Sequence, residues 1–279
     1  MKRSKSSTTA KATAALRAIE SERPADERIC YDPFARKFIS TTFYLMVKWS
    51  SGYTKRVTPG ATGFVVCRWR YFDDYLDQSV KSGIDQLVIL GAGFDSRGYR
   101  DDLRVANVRV FEVDHPATQA HKIAVVKRVI GKPPVALRYV PVDFDHETLD
   151  KLISFGFEKS SKTLFVWEGV TCYLSPEAVD STLSWIRTHA ANGSAVIFDY
   201  MYKSSLTSMD FKGMQRYHQR INEGLVFGIE RGTIETFLLQ RGFLNVVNID
   251  ARKLEEMYCT GKNQGRKVVD IYSIAHAEV

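Results

Sequence analysis

Gln86-Leu87-Val88-Ile89-Leu90-Gly91-Ala92-Gly93-Phe94-Asp95 decides how this chain is read. An unbroken aliphatic run is the pattern of a short strand buried on both faces, and a glycine pair just past it lets backbone approach a ligand closely. About twenty residues on, the distance from a first to a second strand end in a nucleotide-binding βαβ unit, a second run from Val108 to Val113 carries Glu112 and is followed by Asp114. An acidic residue closing that second strand can hydrogen-bond a ribose hydroxyl pair. Two consecutive strand ends therefore supply one nucleoside pocket.

In the dinucleotide fingerprint a third glycine seats pyrophosphate on a helix N-terminus. Here Ser96 occupies that position, with Arg97 and Arg100 nearby. This weighs against a nicotinamide-dependent dehydrogenase and toward a phosphate-free adenosine ligand, of which S-adenosylmethionine is one.

The 279 residues are 44% hydrophobic and 25% charged, ordinary values for a globular protein, and can form one large α/β core. No apolar run approaches the roughly 20 residues of a membrane span. The formal net charge of +7 raises the alternative of a basic RNA-associated protein with a nucleoside-binding fold. However, Arg36, Lys55, Arg104, Lys132, Arg216 and Arg252 are scattered, as on a solvated surface, rather than gathered into a binding stripe. Cys30, Cys67, Cys172 and Cys259 lack the close spacing of a zinc site. Neither a metal nor a disulfide framework is expected, and reduced thiols suit a cytoplasmic location.

Residues 1–83 read as a helical segment and residues 84–279 as the core, with a cap inserted at about 201–231. Met1 to Ala18 superficially resembles a transit peptide, but its pattern runs unbroken into Glu20 and Arg23 and predicts a disordered start leading into a helix over Ala10 to Ile19. The longest helix is expected over Thr62 to Ser82, where Val65, Val66, Trp69, Phe72, Leu76 and Val80 fall at helical spacing. Strands are expected at Gln86 to Leu90, Val108 to Val113, Ala136 to Val142, Thr163 to Trp167 and Ala195 to Asp199, then Phe243 to Ile249 and Lys267 to Ala275. Helices are expected at Ala117 to Ile130, Pro176 to Ala191, Gly232 to Arg241 and Lys253 to Tyr258. The last two strands lack the long crossover of a parallel pair, so the final strand should be antiparallel. Seven strands with the last reversed make the Rossmann-like class I methyltransferase sheet, an α/β architecture whose ligand lies beyond the carboxyl ends of the strands.

Those ends carry Gly91 to Asp95, then Glu112 with Asp114, Asp143 with Phe144, and Glu168 with Gly169. Each acid alone could be a helix cap, and Asp143 and Asp145 precede an expected helix. Together they suit a cationic nucleoside. An adenine could bond the Asp143 carboxylate and the Phe144 N–H, while Glu168 could neutralise an ammonium or sulfonium. Arg68 is either a surface helical arginine or the cation for a ligand carboxylate. Tyr200, Tyr202, Met209, Phe211, Met214, Tyr217 and His218 read equally as packing or as an aromatic wall for a flat acceptor.

Five ordered words carry a resemblance: Cys67-Arg68-Trp69-Arg70-Tyr71-Phe72-Asp73-Asp74, Leu90-Gly91-Ala92-Gly93-Phe94-Asp95-Ser96-Arg97, Phe111-Glu112-Val113-Asp114-His115-Pro116, Val142-Asp143-Phe144, and Trp167-Glu168-Gly169-Val170-Thr171-Cys172-Tyr173-Leu174-Ser175-Pro176. They resemble the leucine carboxyl methyltransferase family, and within it the bacterial branch of S-adenosylmethionine-dependent methyltransferases. The resemblance spans nearly the whole chain, Asp32-Pro33-Phe34-Ala35 included. It implies S-adenosylmethionine as cofactor and places Arg68 on its carboxylate, Gly91 at its methionine portion with Ala92 and Gly93 in the same turn, Asp114 on its ribose, Asp143 and Phe144 at adenine and Glu168 near its amino group. Ser96 stands for the more usual threonine and Trp69 for a smaller residue. The expected activity is O-methylation of a small organic acceptor, a carboxylate in preference to a phenol. Catalysis by positioning needs no assigned catalytic residue; Tyr173 and His218 are the candidate bases should one be required.

Overall fold

The computed structural model describes residues 7–57, 59–207 and 224–279. The chain opens with helices α1 (Thr8–Ser21), α2 (Ala35–Phe38), α3 (Thr41–Val57) and α4 (Ala61–Lys81). Ser7 caps α1 by accepting the Ala10 N–H at 3.0 Å. In α4 the helical repeat gathers Phe64, Cys67, Phe72 and Leu76 on one buried face.

The sheet order is β3-β2-β1-β4-β5-β7-β6. Its strands are β1 (Gln86–Leu90), β2 (Arg109–Asp114), β3 (Leu137–Pro141), β4 (Thr163–Trp167), β5 (Ala195–Met201), β6 (Leu244–Ile249) and β7 (Tyr272–Glu278). The first five pair in parallel, with Leu90 opposite Val113 and Gln86 opposite Thr163. β7 lies antiparallel between β5 and β6, because the short link from β6 cannot make a parallel crossover. Along β1 the side chains alternate between two cores. Leu87 and Ile89 join Ala14, Phe38, Phe72 and Leu76 on one face of the sheet; Val88 and Leu90 join Phe165, Trp167, Leu183 and Ile186 on the other. The opening helices thus share a core with the strands and stand over the sheet.

The remaining helices are α5 (Asp101–Val105), α6 (Pro116–Val129), α7 (Lys151–Ser154), α8 (Pro176–His189), α9 (Lys203–Thr207), α10 (Ile234–Leu239) and α11 (Ala251–Tyr258). Two expectations need correction. β7 begins at Tyr272 rather than Lys267, because the preceding segment is held elsewhere: Val269 N donates to Gly60 O and Val268 N to Glu255 Oε1. No helix follows Asp143 directly. The chain turns through 143–150 before α7, and Asp143 Oδ1 accepts the Asp145 N–H at 3.2 Å within that turn. Of the expected cap at 201–231, α9 and 224–231 are described, while Met209, Phe211, Met214, Tyr217 and His218 lie outside the described residues.

α8 follows the terminus signals of its sequence, with Pro176 in its first turn and Ser175 Oγ accepting the Ala178 N–H at 3.1 Å. Ser175→Ala should cost about 1 kcal/mol of stability. The check is a urea titration in which the midpoint falls at unchanged slope and Ser175→Asp restores it.

Candidate active site

The turn after β1 is shaped by two glycines in the left-handed region. Gly91 has φ +66°, and a Cβ there would meet Val170 Cγ2 at 2.4 Å; Gly93 has φ +42°. The turn is tied to the end of β2, where Asp114 Oδ2 accepts the Gly93 N–H at 2.5 Å and Oδ1 accepts the His115 N–H at 2.6 Å. His115 itself caps α6, its Nδ1 accepting the Ala117 N–H. Glu112, two residues earlier, is not at this site. It leaves β2 on the same face as Asp114 but one repeat deeper, in the core beneath Gly98, where its Oε2 lies 2.7 Å from Lys122 Nζ.

The turn, the strand ends and α1 enclose a cavity. It offers about 130 Å³ to the centres of water-sized spheres, on the order of ten times the space one water requires. All eight residues expected to hold a cofactor line it together: Arg68, Gly91, Ala92, Gly93, Asp114, Asp143, Phe144 and Glu168. Tyr173 lines it too, whereas His218 lies outside the described residues. The Phe144 ring stacks on Trp167 at 6.4 Å, which presents an aromatic surface beside Asp143. Tyr200 and Tyr202, offered above as part of an acceptor wall, are instead buried against each other in the sheet core, 5.9 Å apart and edge to face.

Behind this lining runs a network of buried charges. Arg68 Nε donates to Glu168 Oε1 at 3.0 Å and Nη1 to Asp199 Oδ2 at 2.7 Å. Arg97, fully buried, reaches Glu168 Oε2 at 2.8 Å, Asp95 Oδ2 at 2.7 Å and Asp73 Oδ1 at 2.7 Å. The Trp69 indole lies between two guanidiniums, Arg97 at 3.6 Å and Arg17 at 3.9 Å from its ring centre. Arg17 also pairs with Asp32 at 3.0 Å and donates to Phe94 O at 2.7 Å, which fastens α1 to the glycine turn. Ser96 Oγ donates to Asp32 Oδ1 at 2.8 Å, so the residue in the third-glycine position serves this joint.

Burial works against the charged forms of Glu168, Asp73 and Asp199, and the balance with nearby charge differs among the three. Burial pushes Glu168 up, but the Arg97 and Arg68 guanidiniums outweigh it and hold the carboxyl below its usual value. Asp73 ends raised to about 6 because burial exceeds what Arg97 and Arg100 return. Asp199 is likewise raised by burial, against Arg68 and the Gly169 N–H. Asp199 was not singled out from sequence, although the strand expected there ends on it, just as Glu168 follows the end of β4.

The cavity is lined by five carboxylates, Asp95, Asp114, Asp143, Asp145 and Glu168, against two guanidiniums, Arg17 and Arg68. The lining is thus richer in carboxylates than in cations, in a chain of net charge +7. Beyond Ser96 the backbone forms a single 3-10 turn, Arg97–Tyr99, before the acidic start of α5 at Asp101 and Asp102. Among the described residues, no long helix continues directly from the glycine turn, which is where the dinucleotide fingerprint seats its pyrophosphate.

Residues 10–187 match the family model described as leucine carboxyl methyltransferase. The chain belongs to that family. A protein of Mycobacterium sp. (strain KMS) is 30% identical over 209 residues, covering 70% of this chain and 67% of that one. One from Bacillus subtilis (strain 168) is 28% identical over 237 residues, 83% of this chain and 76% of that one. Both carry S-adenosyl-L-methionine-dependent methyltransferase in their names. Among solved structures, a DUF574 family protein of Streptomyces avermitilis aligns at TM-score 0.60 and 14% identity, over 93% of this chain and 99% of that one. A methyltransferase structure from Thermobifida fusca aligns at 0.57 and 16%, over 99% and 96%. With the sheet order, these likenesses make the fold that of the class I methyltransferases.

For this family member, removing Arg68 tests the network. Arg68→Met leaves Glu168 and Asp199 buried without their shared cation and should cost about 3–5 kcal/mol. The deficit should grow with pH. Asp199, already raised by burial, would lose its cation and rise further above its unfolded value, while Glu168 keeps Arg97; the Asp199 contribution is present below the unfolded value and lost as pH rises through the folded one. Denaturant midpoints at about pH 5 and about pH 7.5 should therefore separate further from wild type at the higher pH.

Proposed function

We propose that this chain is an S-adenosylmethionine-dependent O-methyltransferase that acts on the carboxylate of a small organic acceptor. The observation that carries the reading is the acidic, glycine-floored cavity at the carboxyl ends of β1, β2 and β4 in an otherwise basic protein. Its donor set fits the cofactor. Gly91 and Gly93 let the turn pack closely against Val170 and Ala10 on the cavity floor, Asp114 offers acceptors for a ribose diol, and Asp143 with the Phe144 ring offers an adenine-sized edge and face. Glu168 supplies negative charge for an ammonium, its oxygens already oriented by Arg68 and Arg97. Arg68 keeps Nη2 for a ligand carboxylate, while its Nε and Nη1 are held by Glu168 and Asp199.

When bound, the cofactor supplies an electrophilic methyl group on a sulfonium. The protein's part is orientation: holding an acceptor oxygen in line at about 3 to 3.5 Å is worth roughly 7–11 kcal/mol of barrier. A carboxylate, with a reference pKa near 4, arrives ionised at neutral pH and needs no base, whereas a phenol near 10 does. Among the described residues, the ring base at the cavity wall is His115, and it spends Nδ1 on capping α6, which favours the carboxylate. The family's name, leucine carboxyl methyltransferase, supports the same acceptor chemistry. No described helix is long and apolar enough to cross a membrane, and the four buried thiols suit a cytoplasmic setting.

Asp114→Ala should weaken S-adenosylmethionine binding strongly while the far-ultraviolet dichroism stays that of wild type; unchanged affinity in calorimetry would remove the ribose assignment. With methyl-labelled cofactor, a panel of carboxylic acids and phenols should give base-labile methyl ester products. Label appearing only in phenyl ethers would overturn the carboxylate preference.

A further inference from the structure

Thr118 is the third residue of α6 and lines the same cavity as Asp114 and His115. Its side chain is 2% exposed, and among the described residues its hydroxyl has no hydrogen-bond partner. A threonine inside a helix ordinarily returns its hydroxyl to the carbonyl three or four residues back. Neither carbonyl receives it here: Asp114 O accepts the Val142 N–H at 2.9 Å and His115 O the Gln119 N–H at 3.0 Å, without the Thr118 hydroxyl. A buried hydroxyl left without a partner opposes folding, and such groups are few in native proteins. One that borders a ligand cavity has a use only when the ligand is present.

We propose that Thr118 is a second ribose-positioning residue, which donates its hydroxyl proton to an oxygen of the vicinal diol whose protons Asp114 accepts. The inference rests on the reading of Asp114 as the ribose acid. A carboxylate only accepts, and each Asp114 oxygen already takes one backbone N–H, from Gly93 or from His115. The diol must therefore turn its protons toward Asp114, which leaves its oxygen lone pairs in need of a donor. Thr118 supplies one a single helical turn away. Two χ1 rotamers are open to threonine in a helix, so methyl and hydroxyl exchange places readily when a polar ligand arrives.

The test uses the full chain, with Thr118→Val, which keeps the shape, and Thr118→Ser, which keeps the hydroxyl. Calorimetry measures the affinity of each for S-adenosylhomocysteine and for its 2′-deoxy and 3′-deoxy analogues. Thr118→Val should weaken the parent ligand about tenfold and Thr118→Ser should recover most of that loss. The valine penalty should vanish for whichever deoxy analogue lacks the contacted oxygen. The ligand-free valine variant should melt at or above wild type, since it removes an unpartnered hydroxyl; a merely structural threonine would lower the melting point instead. Equal affinity of the valine variant, or an equal penalty across all three ligands, would overturn the proposal. Should wild type bind S-adenosylhomocysteine and Asp114→Ala abolish it while Thr118→Val is silent, Thr118 alone is refuted. No binding by wild type would refute the cofactor reading and this inference with it.

Discussion

Glu168 gives each of its two oxygens to a different guanidinium, Oε1 to Arg68 on α4 and Oε2 to Arg97 beyond β1. Both arginines are buried, and each carries a further acid, Asp199 on β5 for one and Asp73 with Asp95 for the other. A charge this deep in a protein persists only with partners on every side. The ends of β1, β4 and β5 and the middle of α4 are therefore locked in one arrangement, and the cavity floor follows from it. Hydrophobic packing builds the sheet; the carboxylate–guanidinium chain sets where its loops stand.

Trp69 extends that chain outward. An indole between two cations is favourable on both faces, and Arg17, the outer cation, belongs to the first helix. Ser7, Thr9, Ala10 and Thr13 of the same segment line the cavity. The N-terminal helix is thus a wall of the site, attached through Arg17 to the Phe94 carbonyl and to Asp32 rather than through apolar contact alone. The acidic recess and the basic remainder of the chain are a division of one charge inventory. The chain as a whole carries an excess of lysines and arginines, while the cavity lining carries an excess of carboxylates.

Much of this was legible in the sequence because short buried strands announce themselves. β1 and β4 begin and end at the expected residues, and the acids at strand ends, Asp114, Asp143 and Glu168, fall on one cavity because a parallel sheet aligns those ends. Glu112 was less legible: only the two-residue period of β2 separates it from Asp114, and that period sends both to the same face at different depths. The Lys267–Val269 segment has strand composition but spends its N–H groups on Gly60 and Glu255. The ion pairs were out of reach. Arg68 and Asp199 are 131 residues apart, and nothing local in either segment names the other.

β6 is hydrogen-bonded in the sheet only to β7, which comes later in the chain and inserts between β5 and β6. During translation, then, β5 waits with an open edge and β6 has no neighbour to join until β7 has left the ribosome. The antiparallel reversal that defines this architecture also postpones closure of the sheet until β7 has emerged, and the interval before it is when nascent chains are most exposed to edge-to-edge association.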